Sequence, residues 1–593
     1  MTTLRVLMAL TLFLVAGEVF AQTSPWHNLH YAIYFTYTDI EHLLADSASR
    51  QEVLEYFAPI KAERVYLECS SSGDVNVDVM KRARDFFRSH GLKVSGAMVP
   101  TVPGGPMCYN DPKNLAILER RSKAMAEVFD EFILDDWLFT TCTCEKCVAA
   151  RGTMSWGDYR TKLLLESSEK YIIEPAKKAH PGIRVIIKYP NWYEGHRQNG
   201  YDVYGETKQF DAMAVGIETR NRWWHDQHIP IYSGYIFQKW WPSVDPKKWV
   251  GSWLDNYDMK GHDNDYVAQV WQTVLAQSPE IILWCAGQLF HTGPSSDVYP
   301  HFREMLPEFD RVAGLIKGTS RGVPMYLPYG STGEYNIFAY LGMAGIPIEP
   351  VAAFPETTQT AIFTEHSLRD PRLADEMLGR LRNGRDVFVT WSLFQHLQNT
   401  EFKNMLNVTE ALGTVSSSNI RTREGWDAQM FKADRAFEFP AIRTTTWPYA
   451  RDLALVREDD EYGILFEVKY LNGTLYVLNM PDNSYDLLQL PARALNVIRR
   501  PFMKELGMQL EGPGGVALYL FGKNQYALYN MNDEPATVSL NLPGDSPDGW
   551  QELAHNKFLD VKVIKPERPW EPAVHTVVTM TVQPFELEII QAP

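Results

Sequence analysis

The sequence predicts an α/β fold: a (β/α)8 TIM barrel, then a smaller α/β domain, then a C-terminal β-sandwich. Three observations carry that expectation. Eight strand-like apolar runs alternate with amphipathic stretches between residues 29 and 290, as in a parallel sheet wrapped by helices. That segment is about as long as eight βα units need to close a barrel. Beyond it, βα alternation resumes on a smaller scale and then gives way to short alternating β segments.

In chain order, residues 1–21 read as a cleaved secretory signal, with Arg5, the apolar run VLMALTLFLVAG and a small-residue site at Val19, Phe20 and Ala21. The mature chain would begin near Gln22 and be periplasmic or secreted. No later stretch of about 20 apolar residues reads as a membrane span. The barrel is expected over 22–318. Its strands are LHYAIYFTYT (29–38), ERVYLECSS (63–71), KVSGAMVPTV (93–102), EFILDDWLF (131–139), IRVIIKYPNW (183–192), FDAMAVGIETRN (210–221), WVGSWLDNYD (249–258) and EIILWCAGQLF (280–290). Stretches such as VDVMKRARDFFRSH, LAILERRSKAMAEVFD and DYRTKLLLESSEKYIIEPAKKA have the apolar spacing of helices packed outside a barrel. The second α/β domain is expected over 319–415. A connecting region at 416–500 joins it or the β-domain, and the sandwich runs over 501–593.

The net charge of −16 and pI near 5.5 argue against nucleic acid or an anionic membrane surface as partner. Aromatic residues make up 12% of the chain, and many of the 17 tryptophans fall between Trp137 and Trp284, which points to stacking surfaces for carbohydrate.

Chemistry in a barrel gathers at the carboxyl ends of its strands. Strand four closes on Asp135, Asp136 and Trp137. Adjacent strand residues point to opposite faces, so one aspartate alone faces the axis unless the strand bends. Strand five closes on Lys188, Tyr189, Asn191 and Trp192; strand six on Glu218, Arg220 and Asn221; strand seven on Asp255, Asn256 and Asp258; strand eight on Gln288. Facing carboxylates are the minimum for cleaving a glycosidic bond, which makes Asp136 and Glu218 the catalytic pair, with Glu218 expected across the pore. The competing role for Glu218 is an ion pair with Arg220 or Arg222. Trp223, Trp224, Trp240 and Trp241 are expected to wall the substrate cleft.

After strand four, Cys142, Cys144 and Cys147 form a C-x-C-x-x-C cluster, and Cys108 lies in the preceding loop. Four thiolates satisfy a tetrahedral structural Zn²⁺. Disulfides compete in an exported chain, but a C-x-C pair is poorly placed for an unstrained bridge, which favours zinc. Cys69 and Cys285 sit in apolar runs and read as core residues.

With these motifs the chain resembles glycoside hydrolase family 42, retaining β-galactosidases with a barrel, a flavodoxin-like trimerisation domain and a small β-domain. The resemblance rests on the cysteine cluster with its upstream Cys108, on VPMYLPYG, GIPIEPV and RDVFVTWS as parallel strands of a flavodoxin/amidotransferase-like domain, and on VALYLFG, QYALYNM, TVSLNL and FELEII as a terminal sandwich. It implies a zinc held by Cys108, Cys142, Cys144 and Cys147 and a homotrimer. That family uses an Asn-Glu pair on strand four and a Glu nucleophile on strand seven. This chain has Asp135-Asp136 there, and Asp255 or Asp258 on strand seven. By position Asp136 corresponds to the acid/base. The α-galactosidase-like hydrolases use a strand-four aspartate nucleophile and a strand-six acid, which suits Asp136 and Glu218.

The expected function is therefore an exported glycoside hydrolase acting on an oligo- or polysaccharide. Asp136 serves as nucleophile or base and Glu218 as acid. Asp135 tunes them. Trp137, Lys188, Tyr189, Asn191, Trp192, Arg220, Trp223, Trp224, Asp255 and Gln288 contact substrate. The alternative is a catalytically silent carbohydrate-binding scaffold. No H-E-x-x-H spacing among the 15 histidines supports zinc-dependent hydrolysis.

Overall fold

The computed structural model describes residues 26–69, 74–102, 105–222, 229–406, 408–424, 427–444, 450–566 and 573–593. The chain folds as two compact units, Met1–Gly314 and Leu315–Pro593.

Eight parallel strands close the barrel of the first unit: β1 (Tyr31–Phe35), β2 (Arg64–Glu68), β3 (Lys93–Met98), β4 (Glu131–Leu134), β5 (Arg184–Tyr189), β6 (Ala212–Gly216), β7 (Trp249–Asp255) and β8 (Ile281–Trp284). All eight expected strands are present, each shorter than its apolar run. The run after β1 turns into helix at Thr36, whose hydroxyl accepts from the Asp39 N–H while the Asp39 carboxylate accepts from the Thr36 N–H. Such a reciprocal cap starts a helix whatever follows. β4 and β6 likewise stop before the polar residues that end their expected runs.

The three expected helical stretches form Val77–Ser89, α1 (Pro112–Val128) and a long segment from Trp156 to Ala179. The last is interrupted by a π turn at Glu169–Ile173, next to Pro175, which has no N–H for the helical ladder. Further helices are α2 (Glu145–Arg151), α3 (Val203–Gln209), α4 (Ser233–Val244) and α5 (Ala286–Leu289).

Alternate strand residues fill the barrel interior: Ala32, Tyr34, Tyr66, Ala97, Ile133, Ile186, Ala212, Ala214, Trp253 and Ile282 form one buried cluster with Cys285. At the amino ends of the strands, Arg64 lies 2.5 Å from Glu131 and 2.9 Å from Glu280, and Tyr66 donates to Glu280 at 2.9 Å. These ions hold each other below the apolar layers. The carboxyl ends are left for chemistry.

In the second unit, β9 (Val323–Tyr326), β10 (Ile348–Val351), β11 (Thr360–Phe363), β12 (Asp386–Thr390), β13 (Val408–Glu424), β14 (Asp427–Thr444), β15 (Ala450–Arg457), β16 (Glu461–Tyr470) and β17 (Gly473–Leu478) make one sheet, ordered β10-β9-β11-β12-β17-β16-β15-β13-β14. The first five in that order run parallel, and the rest are antiparallel. Much of the expected connecting region thus continues the middle sheet. Further on come β18 (Gln509–Glu511), β19 (Val516–Phe521), β20 (Gln525–Asn530), β21 (Ala536–Pro543), β22 (Gln551–Glu552), β23 (Lys557–Phe558), β24 (Val561–Ile564), β25 (His575–Val582) and β26 (Leu587–Gln591). They form a four-stranded sheet, β18-β21-β25-β24, and a six-stranded sheet in which Ser320–Arg321 pairs with β19 ahead of β20, β26, β22 and β23. Leu518, Leu520 and Leu528 of the larger sheet share an apolar core with Val538, Leu540 and Val578 of the smaller.

Candidate active site

Period-two alternation decides which side chains reach the barrel mouth. On β5, Ile186 points inward, so Lys188 does too. On β6, Ala212 and Ala214 point inward, and the same face continues through Gly216 to Glu218. On β4, Ile133 points inward and is followed by Asp135 on that face. Leu134 pairs with Ile187 and Lys188 with Ala214, so these three strands deliver their polar residues at one height.

The Lys188 ammonium is the centre of the result. Its Nζ lies 2.8 Å from Asp136 Oδ2, 2.6 Å from Glu218 Oε1 and 3.5 Å from Asp135 Oδ1. It also sits 4.2 Å from the centroid of the Trp253 ring. Lys188 is 2% exposed and Glu218 likewise, so this is a buried cluster. Both aspartates reach it because β4 ends at Leu134 and the backbone turns, with the Asp136 N–H donating to Asp135 Oδ1 at 2.7 Å. The expectation that Glu218 stands across the pore is corrected: strands four and six flank strand five, and all three carboxylates converge on its lysine.

Burial dominates the protonation of these groups. It pushes the Glu218 carboxyl up to about 7, with Lys188 opposing and Asp136 adding to the rise. Asp135 is pushed up to about 7 for the same reasons. Burial works against the Lys188 ammonium, but the surrounding carboxylates outweigh it and hold its pKa well above the ordinary lysine value.

Glu218 and Arg220 are held in left-handed backbone, with φ of 36° and 45°. Such positions cost about 1–3 kcal/mol and persist where the surroundings enforce them. Asn191 Nδ2 donates to the Glu218 carbonyl at 3.0 Å, which fixes one end of this turn. Gly216 makes room for the side chain: a Cβ there would lie 2.5 Å from Glu218 Oε1. Arg220 faces Asp255 with Nη2 at 2.6 Å and Nε at 3.0 Å from the same carboxylate oxygen. Asp255 Oδ1 also accepts from the Tyr257 N–H at 2.7 Å. Among the described residues the competing ion pair of Glu218 is not seen: Arg220 takes Asp255, and Arg222 lies 3.1 Å from Asp265. Asp258 is exposed in a turn at φ 60°.

One member of the cluster escaped the sequence reading. Glu68 ends β2 two residues after inward-facing Tyr66, accepts from the Tyr34 hydroxyl at 2.9 Å, and is 6% exposed. Burial, with Asp135 nearby, pushes it up to about 8. The alternation that places Lys188 inward also places Glu68 inward, a signal masked in the run VYLECSS by its apolar neighbours.

Several other expected contacts lie away from this cluster. Tyr189 follows Lys188 and so points out of the barrel, where its ring stacks on Trp241 at 4.4 Å. Trp240 and Trp241, on α4, are 1% exposed and pack with Tyr193 and His196 as core between β5 and the helix layer. Gln288 lies half-buried on α5, and its carbonyl accepts from the Ser295 N–H. Trp223 and Trp224 lie outside the described residues. Trp137 is 38% exposed and meets Phe139, which meets Trp192 edge to face at 5.4 Å, an aromatic row beside Asp136.

Cys108, Cys142, Cys144 and Cys147 bring their sulfurs within 4.8 Å of one another, and no cysteine is in a disulfide. Cys108 Sγ lies 3.6 Å from Cys147 and 3.8 Å from Cys144, and Asn110 Nδ2 donates to Cys147 at 3.2 Å. Sulfurs bound tetrahedrally at about 2.3 Å stand about 3.8 Å apart, so the donor set fits a metal of that geometry. Cys144 caps α2, and the Cys147 N–H holds its thiol down to about 7.

A stability test follows from Glu68. Its ordinary value is 4.5, so between that and about 8 the unfolded chain has lost a proton that the fold retains. The stabilisation is complete below pH 4.5 and is lost as pH rises through the folded value of about 8. Urea unfolding across this range should show Glu68→Gln less pH-sensitive than the wild type by about 1.4 kcal/mol per pH unit. Parallel profiles would mean that Glu68 ionises normally.

Known proteins share this fold. Residues 20–310 match the family "Probable glycosyl hydrolase, catalytic domain", and residues 318–483 match "Uncharacterized protein SSO3021, second domain". The protein of that name from Saccharolobus solfataricus is 22% identical over 549 residues, covering 83% of this chain and 89% of that one. Among solved structures, Gan42B, a GH42 β-galactosidase, has a TM-score of 0.61 at 11% identity, covering 95% of this chain and 98% of its own. A catalytic mutant of the same enzyme, from G. stearothermophilus, has a TM-score of 0.60. The barrel of this chain is therefore a glycosyl hydrolase catalytic domain, in a protein that shares the fold of the family 42 β-galactosidases.

Proposed function

We propose that this protein is an exported retaining glycosidase in which Asp136 is the nucleophile and Glu218 the acid/base. The observation that carries this is their common contact with Lys188. Contacts of 2.8 and 2.6 Å to one nitrogen keep their nearest carboxylate oxygens no more than about 5.4 Å apart, which favours the close pair of a retaining enzyme over the wider one of an inverting enzyme. Glu218, raised to about 7, keeps a proton to give at neutral pH.

In the first step Asp136 attacks the anomeric carbon while Glu218 protonates the departing glycosidic oxygen, leaving a glycosyl ester on Asp136. In the second, Glu218 takes a proton from water, which displaces Asp136. Lys188 holds both carboxylates in place and restrains the negative charge left on each. Trp137, exposed beside Asp136, offers a face for a sugar ring, with Trp192 behind it. Asp255 stays bound to Arg220 and takes no part in bond cleavage.

Aryl β-galactosides are the first substrates to test, alongside α- and β-glycosides of other sugars. Asp136→Asn and Glu218→Gln should each lower kcat by about 10²–10⁴ with folding intact. In the wild type, kcat/KM should fall above pH about 7 as Glu218 deprotonates, and that limb should vanish in Glu218→Gln. Cleavage that survives Asp136→Asn would remove it as nucleophile. Glycan binding without cleavage of any substrate would favour the scaffold reading.

We further propose that the four cysteines hold zinc. A four-thiolate shell leaves no position for water, so this metal ties the loops after β3 and β4 and does no chemistry. Elemental analysis should find zinc in the protein, and Cys147→Ser should lose one zinc per chain together with thermal stability. Undiminished zinc in that variant would place the metal elsewhere.

Export rests on residues 1–21, which lie outside the described residues. N-terminal sequencing of protein secreted by a bacterial host should begin at Gln22, and an intact Met1 would refute the cleavage.

A further inference from the structure

Away from the barrel, the larger sheet of the sandwich brings three donor side chains to one point. Glu552 is on β22, His555 follows it in the turn toward β23, and Glu588 is on β26. His555 Nδ1 lies 3.1 Å from Glu552 Oε2 and 3.2 Å from Glu588 Oε2. One atom from each residue falls within 4.8 Å of the others. Among the described residues, this and the four-cysteine cluster are the two groups with metal-ligand spacing.

The carboxylates are buried, Glu552 at 1% and Glu588 at 7% exposure, while the His555 side chain is 36% exposed. Glu552 is rigidly placed: its Oε1 accepts from the N–H groups of Ala554 at 2.6 Å and Ile589 at 3.1 Å, and its Oε2 from that of His555 at 2.6 Å. Two buried carboxylates side by side need a proton or a cation between them. The imidazole satisfies that need poorly by hydrogen bonding, because Nδ1 carries at most one hydrogen and faces two oxygens. A cation satisfies it well. Donors bound at about 2.1 Å stand about 3.0–3.4 Å apart on one face of an octahedron or tetrahedron, close to both measured separations. The partly exposed His555 side chain brings the group to the protein surface.

We propose that Glu552, His555 and Glu588 form a binding site for a divalent first-row metal ion, distinct from the cysteine site, that clips the β22–β23 turn onto β26. One imidazole and two carboxylates suit Mn²⁺ and its neighbours, whereas four thiolates do not. Mn²⁺ therefore probes this site selectively in the intact protein, with the cysteine site zinc-loaded.

The experiment is titration of full-length protein with Mn²⁺, following the free-ion signal by electron paramagnetic resonance, for wild type, His555→Ala and Glu588→Gln. The expected result is one Mn²⁺ bound by the wild type and affinity reduced at least about 10- to 100-fold in both variants, the loss that removing even an outer-shell partner produces. His555 is surface-accessible, so His555→Ala decides the matter if Glu588→Gln fails to fold. Mn²⁺ uptake equal in wild type and His555→Ala would overturn the proposal, as would a wild type that takes up none. In either case the two carboxylates share the His555 ring by hydrogen bonding alone.

Discussion

The candidate active site depends on one buried ammonium. Lys188 stands among Asp135, Asp136 and Glu218 and rests on the face of Trp253. Taking a lone ammonium or carboxylate out of water costs several kcal/mol after relaxation, so none of these groups is tolerable there alone. Together they offset one another, with the indole face supplying attraction from below. Three carboxylates against one ammonium still leave an excess of negative charge. The fold meets it by keeping protons on Asp135 and Glu218 near neutrality and on Glu68 above it.

A second cation keeps the arrangement from collapsing into a larger tangle. Arg220 engages Asp255 through two nitrogens, which separates the strand-seven carboxylate from the lysine-centred group. The strained turn at Glu218 and Arg220 makes this possible. One residue folds back over Gly216 toward β5, and the residue two further on reaches the other way to β7. The backbone strain is small beside the cost of an unpaired buried charge.

Metal-ligand spacing recurs at two loops of quite different chemistry. Four soft thiolates near β4 can replace a core where a loop has little apolar surface to bury. In the sandwich a harder set of one imidazole and two carboxylates occupies a turn between paired strands. Both groups draw donors from irregular backbone, the part of a fold that buries least and pairs fewest of its own hydrogen bonds.

Fold class was legible in the sequence because parallel strands buried on both faces read as continuous apolar runs, and all eight appear at their expected places. The cysteine cluster was legible because its spacing is local. Strand ends were not: the cap at Thr36 and the early stop of β4 depend on a few polar atoms that periodicity does not weigh. Trp240 and Trp241 misled for a related reason, since they sit on a helix whose apolar face is core, and composition cannot tell a buried ring from a stacking platform. Glu68 followed the same alternation as Lys188 yet was hidden by its apolar neighbours. The sequence by itself determined which residues could meet at the barrel mouth, because side-chain direction on a strand is set by parity alone. Only the tertiary structure decided which partners they chose, because strand register and the turn at Glu218 place Lys188 rather than Arg220 between the carboxylates, and those distances arise across strands far apart in the chain.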